Sequence, residues 1–190
     1  MQNSDKYQHI TLAKEKLANG KLDGVSPNLV NRLARIDQVN YVIVEADGAA
    51  RKPLKAPNAT EPVIPAASSL VIPLVGIDAV GSRLTEENIF RAEIASKLLG
   101  VPLGKVVSAE SVAVLITHPQ GITKGSPEKV RVVPFINKVD LDPGLKKARD
   151  LARRILANEH PQIKRVVLGQ VQLSEPVVEV ISREGHRLTP

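Results

Sequence analysis

The stretch "YVIVEADGAARKPLKAP", residues 41–57, combines residue types that could do chemistry. Four apolar or aromatic residues lead into Glu45 and Asp47, Gly48 allows a tight turn, and Arg51, Lys52 and Lys55 follow. A carboxylate at the end of a rigid strand offers oxygen to a hard cation such as Mg²⁺, and nearby cations would balance a metal-bound phosphate. The plainer reading of the same letters is a set of solvated polar residues closing a strand.

A second stretch, "PFINKVDL" at residues 134–141, ends an apolar run in Asn137-Lys138-x-Asp140. This spacing matches the N-K-x-D element with which GTP-binding proteins read guanine. There the carboxylate accepts two hydrogen bonds from the base edge and the lysine stem packs along the ring. Asn137 and Asp140 could instead cap the helix that follows. The histidines His9, His118, His160 and His186 lack metal-ligand spacing, and no G-x-S-x-G element is present.

The elements that must position these residues follow from periodicity. Tyr7, Ile10, Ala13 and Leu17 recur at helical spacing before Gly20, which predicts an N-terminal helix. Ser26 and Pro27 predict a short helix start. Strands are expected at 41–46, 69–76, within "KVRVVPFINK" (129–138), and at 163–169. Prolines 53, 57, 62 and 65 make the intervening segment a long ordered loop, and loops of that length inside a domain are usually functional. Thr85 is the expected cap of a helix ending at Gly100, and Ser108 caps another. In "PGLKKARDLARRILAN" Leu145, Ala148, Leu151, Ala152, Ile155 and Leu156 share one face while the basic residues lie largely off it.

Alternating strands and helices predict an α/β fold: one domain spanning residues 1–190, three-layered, with a mostly parallel sheet and helices on both faces. Composition agrees, because aromatics make up only 2% of the 190 residues and the core must be aliphatic, as in buried parallel sheets. The absence of cysteine excludes disulfides, thiolate metal sites and a cysteine nucleophile. No leader or spanning segment stands out, so a cytoplasmic location without membrane association is expected. The net charge of +6 lies in residues 96–190. With few aromatics to stack on bases, nucleic acid is not the expected partner.

These residues together resemble the YqeC-like accessory proteins of selenium-dependent molybdenum hydroxylases. The likeness runs from "KLDGVSP" through "VEADGAARKPLKAPNATEPVIP", "VGIDAVGSRLTEENIFRAEI" and "HPQGITKGSP" to "INKVDL". Residues 135–156 also look like the closing nucleotide-site strand and helix of metallochaperone GTPases. The resemblance implies a P-loop NTPase-like fold and a role in maturing a molybdenum hydroxylase or its cofactor, with GTP or another nucleoside triphosphate and Mg²⁺ bound. By that resemblance Asp47 and Glu45 would face Mg²⁺, Asp47, Lys52 and Lys55 would be the catalytic set, and Asn137, Lys138 and Asp140 would face the base.

The chain departs from the pattern in having no G-x-x-x-x-G-K-[ST]; the nearest string, "GVPLGKV", has the wrong spacing and no hydroxyl after Lys105. The expected fold therefore lacks the first strand and the phosphate loop, and an uncovered sheet edge would favour a homo-oligomer. Three readings stand. The chain is an accessory protein with a degraded nucleotide site, or a binding module docking an acidic protein or anionic cofactor through loop 51–57 and basic helix 145–157, or an active GTPase whose loop lies outside this sequence.

Overall fold

A computed structural model describes residues 7–183 and 187–188 and groups the chain into two units. The first comprises Met1–Val44 with Pro65–Ala67, and the second Glu45–Ile64 with Ser68–Pro190.

In the first unit, β1 (Glu15–Lys16) pairs antiparallel with β2 (Leu22–Asp23). The helix expected over residues 7–17 does not form. The Lys14 and Leu17 N–H groups donate forward to Asp23 O and Lys21 O, and Gly20 turns the chain at φ 82°, so a hairpin takes the backbone groups a helix would use. Tyr7 and Ile10, the proposed apolar stripe, are exposed. Helix α1 (Pro27–Leu33) starts where expected: Ser26 Oγ accepts the Leu29 N–H at 3.3 Å and Pro27 opens the first turn.

The run 41–46 is not a strand. Its β-branched residues have the propensity, but a strand exists through its ladder, and among the described residues none pairs with it. Tyr41 and Ile43 are 88% and 95% exposed.

The second unit holds the remaining elements. In chain order they begin with β3 (Leu54–Lys55), β4 (Leu70–Val71), β5 (Leu74–Gly76), a 3₁₀ turn at Ile77–Ala79 and β6 (Ile89–Phe90). Then come α2 (Ala92–Leu99), α3 (Ala109–Thr117), β7 (Arg131–Val132), β8 (Phe135–Asn137), α4 (Gly144–Ala157), β9 (Arg165–Gly169), β10 (Val177–Ser182) and β11 (Arg187–Leu188). The principal sheet has the order β11-β10-β9-β8-β5, parallel through β5, β8 and β9 and antiparallel from β9 to β11. The α/β class is thus borne out, with parallel pairings and, among the described residues, four α-helices.

Both long expected strands split at a proline. Pro73 separates β4 from β5 and Pro134 separates β7 from β8, and the register of the flanking pairs sets the two prolines opposite each other. Neither has an N–H to give a ladder, but each carbonyl still accepts: Pro73 O from Phe135 N and Pro134 O from Val167 N, both at 2.9 Å. β10 and β11 lie beyond the strands expected from the sequence.

The helix expected from Thr85 begins only at Ala92. Residues 89–90 are drawn into a parallel pair with Leu54–Lys55, and Arg91 at φ 61° turns the chain into the helix. The Glu86 carboxylate then accepts the Arg91 and Ala92 N–H groups at 3.1 and 2.5 Å, satisfying donors that the helix leaves open. Helix α3 starts as expected, with Ser108 Oγ accepting the Ser111 N–H. In α4 the apolar stripe reads correctly: Ala148, Leu151, Ala152, Ile155 and Leu156 are buried against α3, β9 and β10.

Candidate functional site

Two clusters in the second unit contain the residues singled out from the sequence. The first forms where β3 runs beside β6. Leu54 and Ala56 are buried apolar residues, and anchoring them carries Lys55 between them into the interior, where it is 7% exposed. A buried ammonium needs partners. Lys55 Nζ finds Asp47 Oδ2 at 3.0 Å, Glu61 Oε2 at 2.5 Å and the Gly48 carbonyl at 2.8 Å. Glu61 is also gripped by the Arg91 guanidinium, with Nη2 3.1 Å from Oε1 and Nη1 on Oε2. The hydrogen bond from Arg91, supported by that from Lys55 and the charges of both, holds the Glu61 carboxyl at about 2 against the opposing effect of burial. Lys52, Lys55 and Arg91 surround the Phe90 ring at 5.9, 5.6 and 4.8 Å from its centroid.

Asp47 and Lys55 are therefore brought together, and Lys52 stands at the rim, 4.0 Å from Glu86. Glu45 is exposed. Asp47 already faces an ammonium, and among the described residues no group of three or more His, Cys, Asp or Glu is placed to hold a metal ion. Glu61, Glu86, Phe90 and Arg91 were not foreseen. The proline-flanked "EPVIP" marked Glu61's neighbourhood, whereas Glu86 and Arg91 were hidden inside an apparent helix.

The second cluster lies at the carboxyl ends of β5, β8 and β9, where open α/β sheets place their ligands. Lys138 leaves β8 at φ 65°, a left-handed conformation that non-glycine residues adopt rarely and often at functional sites. Its Nζ meets Asp78 Oδ2 at 2.7 Å. Asn137 Oδ1 accepts the Val171 N–H at 3.1 Å, and Asp140 Oδ1 accepts Gln170 Nε2 at 2.9 Å. These side chains line an open pocket of about 410 Å³. A neighbouring pocket of about 350 Å³ shares Asp78 and Leu141 with it and extends to Ser82 and Lys147.

Asn137, Lys138 and Asp140 are thus brought to one site, but Asn137 is committed to the loop after β9. Asp78 and Gln170 complete the site and were missed. Asp78 lies two residues past a strand end inside "VGIDAVG", a position that the topology makes relevant. The clusters are joined through backbone: the Gly76 N–H donates to Pro53 O at 2.8 Å, and Gly76 leads directly into the turn carrying Asp78. His118 and His160 each accept a backbone N–H two residues on, and His186 lies outside the described residues.

These features define an α/β protein with a polar groove at the ends of its parallel strands. Residues 1–93 match the family described as YqeC protein. The "Uncharacterized protein YqeC" of Escherichia coli (strain K12) is 32% identical over 123 residues, which cover 65% of this chain and 48% of that protein. The chain therefore spans about half the length of the curated relative it matches. It is YqeC-like across its first half, as its signature block implied. No solved structure matches.

Proposed function

We propose that this chain is a nucleotide-binding accessory protein with a P-loop NTPase-like fold, its groove taking the base of a guanine-type nucleotide. The observation that carries the reading is the convergence of Asn137, Lys138 and Asp140 with the 170–172 loop around one pocket at parallel strand ends. Asp140 would accept from the base edge and the Lys138 stem would lie along the ring. Asn137 would hold the loop that closes the pocket. A role in maturing a selenium-dependent molybdenum hydroxylase or its cofactor is supported by the YqeC resemblance alone.

The first cluster fits a supporting role better than phosphate chemistry, since Lys55 and Glu61 neutralise each other and Asp47 completes the set. For the same reason Lys55 is poorly suited to docking an acidic surface.

The test is calorimetric titration of the full chain with GTP, ATP and CTP, with and without Mg²⁺. Guanine-selective binding abolished by Asp140→Ala supports the reading. Absence of binding to all three overturns it and leaves a partner-docking module.

A further inference from the structure

We infer that Gln170 is a resident competitor for the base pocket, its side-chain amide occupying the carboxylate that an incoming base must engage. The inference rests on the base-binding reading above.

Both ends of that amide are held. Nε2 donates to Asp140 Oδ1 at 2.9 Å, and Oε1 accepts the Gln172 N–H at 3.4 Å. The backbone beneath it is fixed as well: the Gln170 N–H donates to Pro176 O at 2.9 Å, and its carbonyl accepts from Leu173 N at 3.1 Å. Gly169, immediately before, packs so closely that a Cβ there would lie 2.1 Å from Pro176 O and 2.6 Å from the Phe135 ring. The loop thus presents the amide to Asp140 from a braced position.

The chemistry of the contact is what makes it a competitor. The Gln170 amide gives Asp140 an N–H donor, the same kind of group that guanine would offer that carboxylate through its ring N–H and exocyclic amine. A base seeking both oxygens of Asp140 finds one already bonded. Lys138 is likewise engaged, by Asp78 at 2.7 Å. Binding then exchanges internal partners for ligand, and the cost of freeing Asp140 falls on a base that bonds to that carboxylate. Gln170 therefore holds back guanine, which seeks Asp140 through its ring N–H and exocyclic amine, more than adenine, which has no such pair of donors.

The intact chain and its Gln170→Ala and Asp140→Ala forms would be titrated with GTP and with ATP. Gln170→Ala should tighten GTP roughly fivefold or more, as expected for removing a competing hydrogen bond to a charged group at an exposed site, and should widen the GTP-to-ATP preference by a similar factor. If the unsubstituted chain binds GTP but Gln170→Ala binds it equally or less well, or tightens ATP as much as GTP, the competitor role is overturned while the base-binding reading stands. If no form binds either nucleotide, that reading falls and this inference falls with it.

Discussion

Lys55 Nζ lies 3.0 Å from the Asp47 carboxylate, at the bottom of a loop that the sequence presents as an acidic strand end followed by basic residues. The two charges meet each other. Burial of Leu54 and Ala56 leaves Lys55 little access to solvent, Asp47 and Glu61 partner it, and Arg91 balances the second carboxylate. Two cations against two carboxylates form a nearly neutral cluster in a poorly solvated place, which is the condition under which buried charges persist.

Removing Lys55 leaves both carboxylates without their shared partner. Breaking one side of a buried ion pair costs about 3–5 kcal/mol, and partial exposure of Asp47 and Glu61 lowers the expectation for Lys55→Ala to about 2–4 kcal/mol. Urea unfolding followed by far-ultraviolet circular dichroism measures it. A loss under about 1 kcal/mol would place the cluster outside the stabilising core.

Glu61 makes stability depend on acid pH. Its folded carboxyl is depressed from 4.5 to about 2, chiefly by the Arg91 hydrogen bond, so the unfolded chain binds the proton more readily. The contribution is complete above 4.5 and is lost as pH falls from there through about 2. Urea midpoints taken across that range should fall more steeply for the unsubstituted chain than for Glu61→Gln, which has no proton to gain at this position.

What could be read from the sequence follows from where each signal is local. The α4 stripe and the Ser26 and Ser108 caps depend on residues a few positions apart, and all are found as read, whereas Asn137 and Asp140 do not cap α4, which starts after Pro143 without a side-chain cap. The misreadings concern pairing. Residues 41–46 look like a strand in isolation but have no ladder, while residues 89–90 look helical and are drawn into a strand by Leu54–Lys55. The site divides in the same way. Asp140 and Lys138 were visible as a motif, but Asp78 and Gln170 reach it only through the parallel order of β5, β8 and β9.

Gly76 should tolerate no side chain. A Cβ there would lie 2.3 Å from Asp78 Oδ1 and 2.9 Å from Pro53 Cβ. Gly76→Ala must therefore push Asp78 off Lys138 or move the 51–57 loop, at a cost of about 1–3 kcal/mol by the usual penalty for overpacking. Thermal unfolding reads the stability loss, and the chemical shift of the Lys138 side chain reads the broken pair. An unchanged melting temperature together with an unchanged shift would refute the crowding.

Asn137 is predicted to act on the ligand through the loop. Its Oδ1 accepts the Val171 N–H at 3.1 Å and ties the segment after β9 to the end of β8. Asn137→Ala removes that acceptor, so the Val171 amide should exchange with solvent at least roughly fivefold faster, the loss of about one hydrogen bond. Affinity for GTP should weaken by a similar factor as the pocket wall loosens, whereas Asp140→Ala should abolish binding. Asn137→Asp keeps an oxygen in place and should restore the protection of Val171. If Asn137→Ala weakens GTP binding while Val171 stays protected, Asn137 touches the nucleotide itself and its role as the anchor of the loop is wrong.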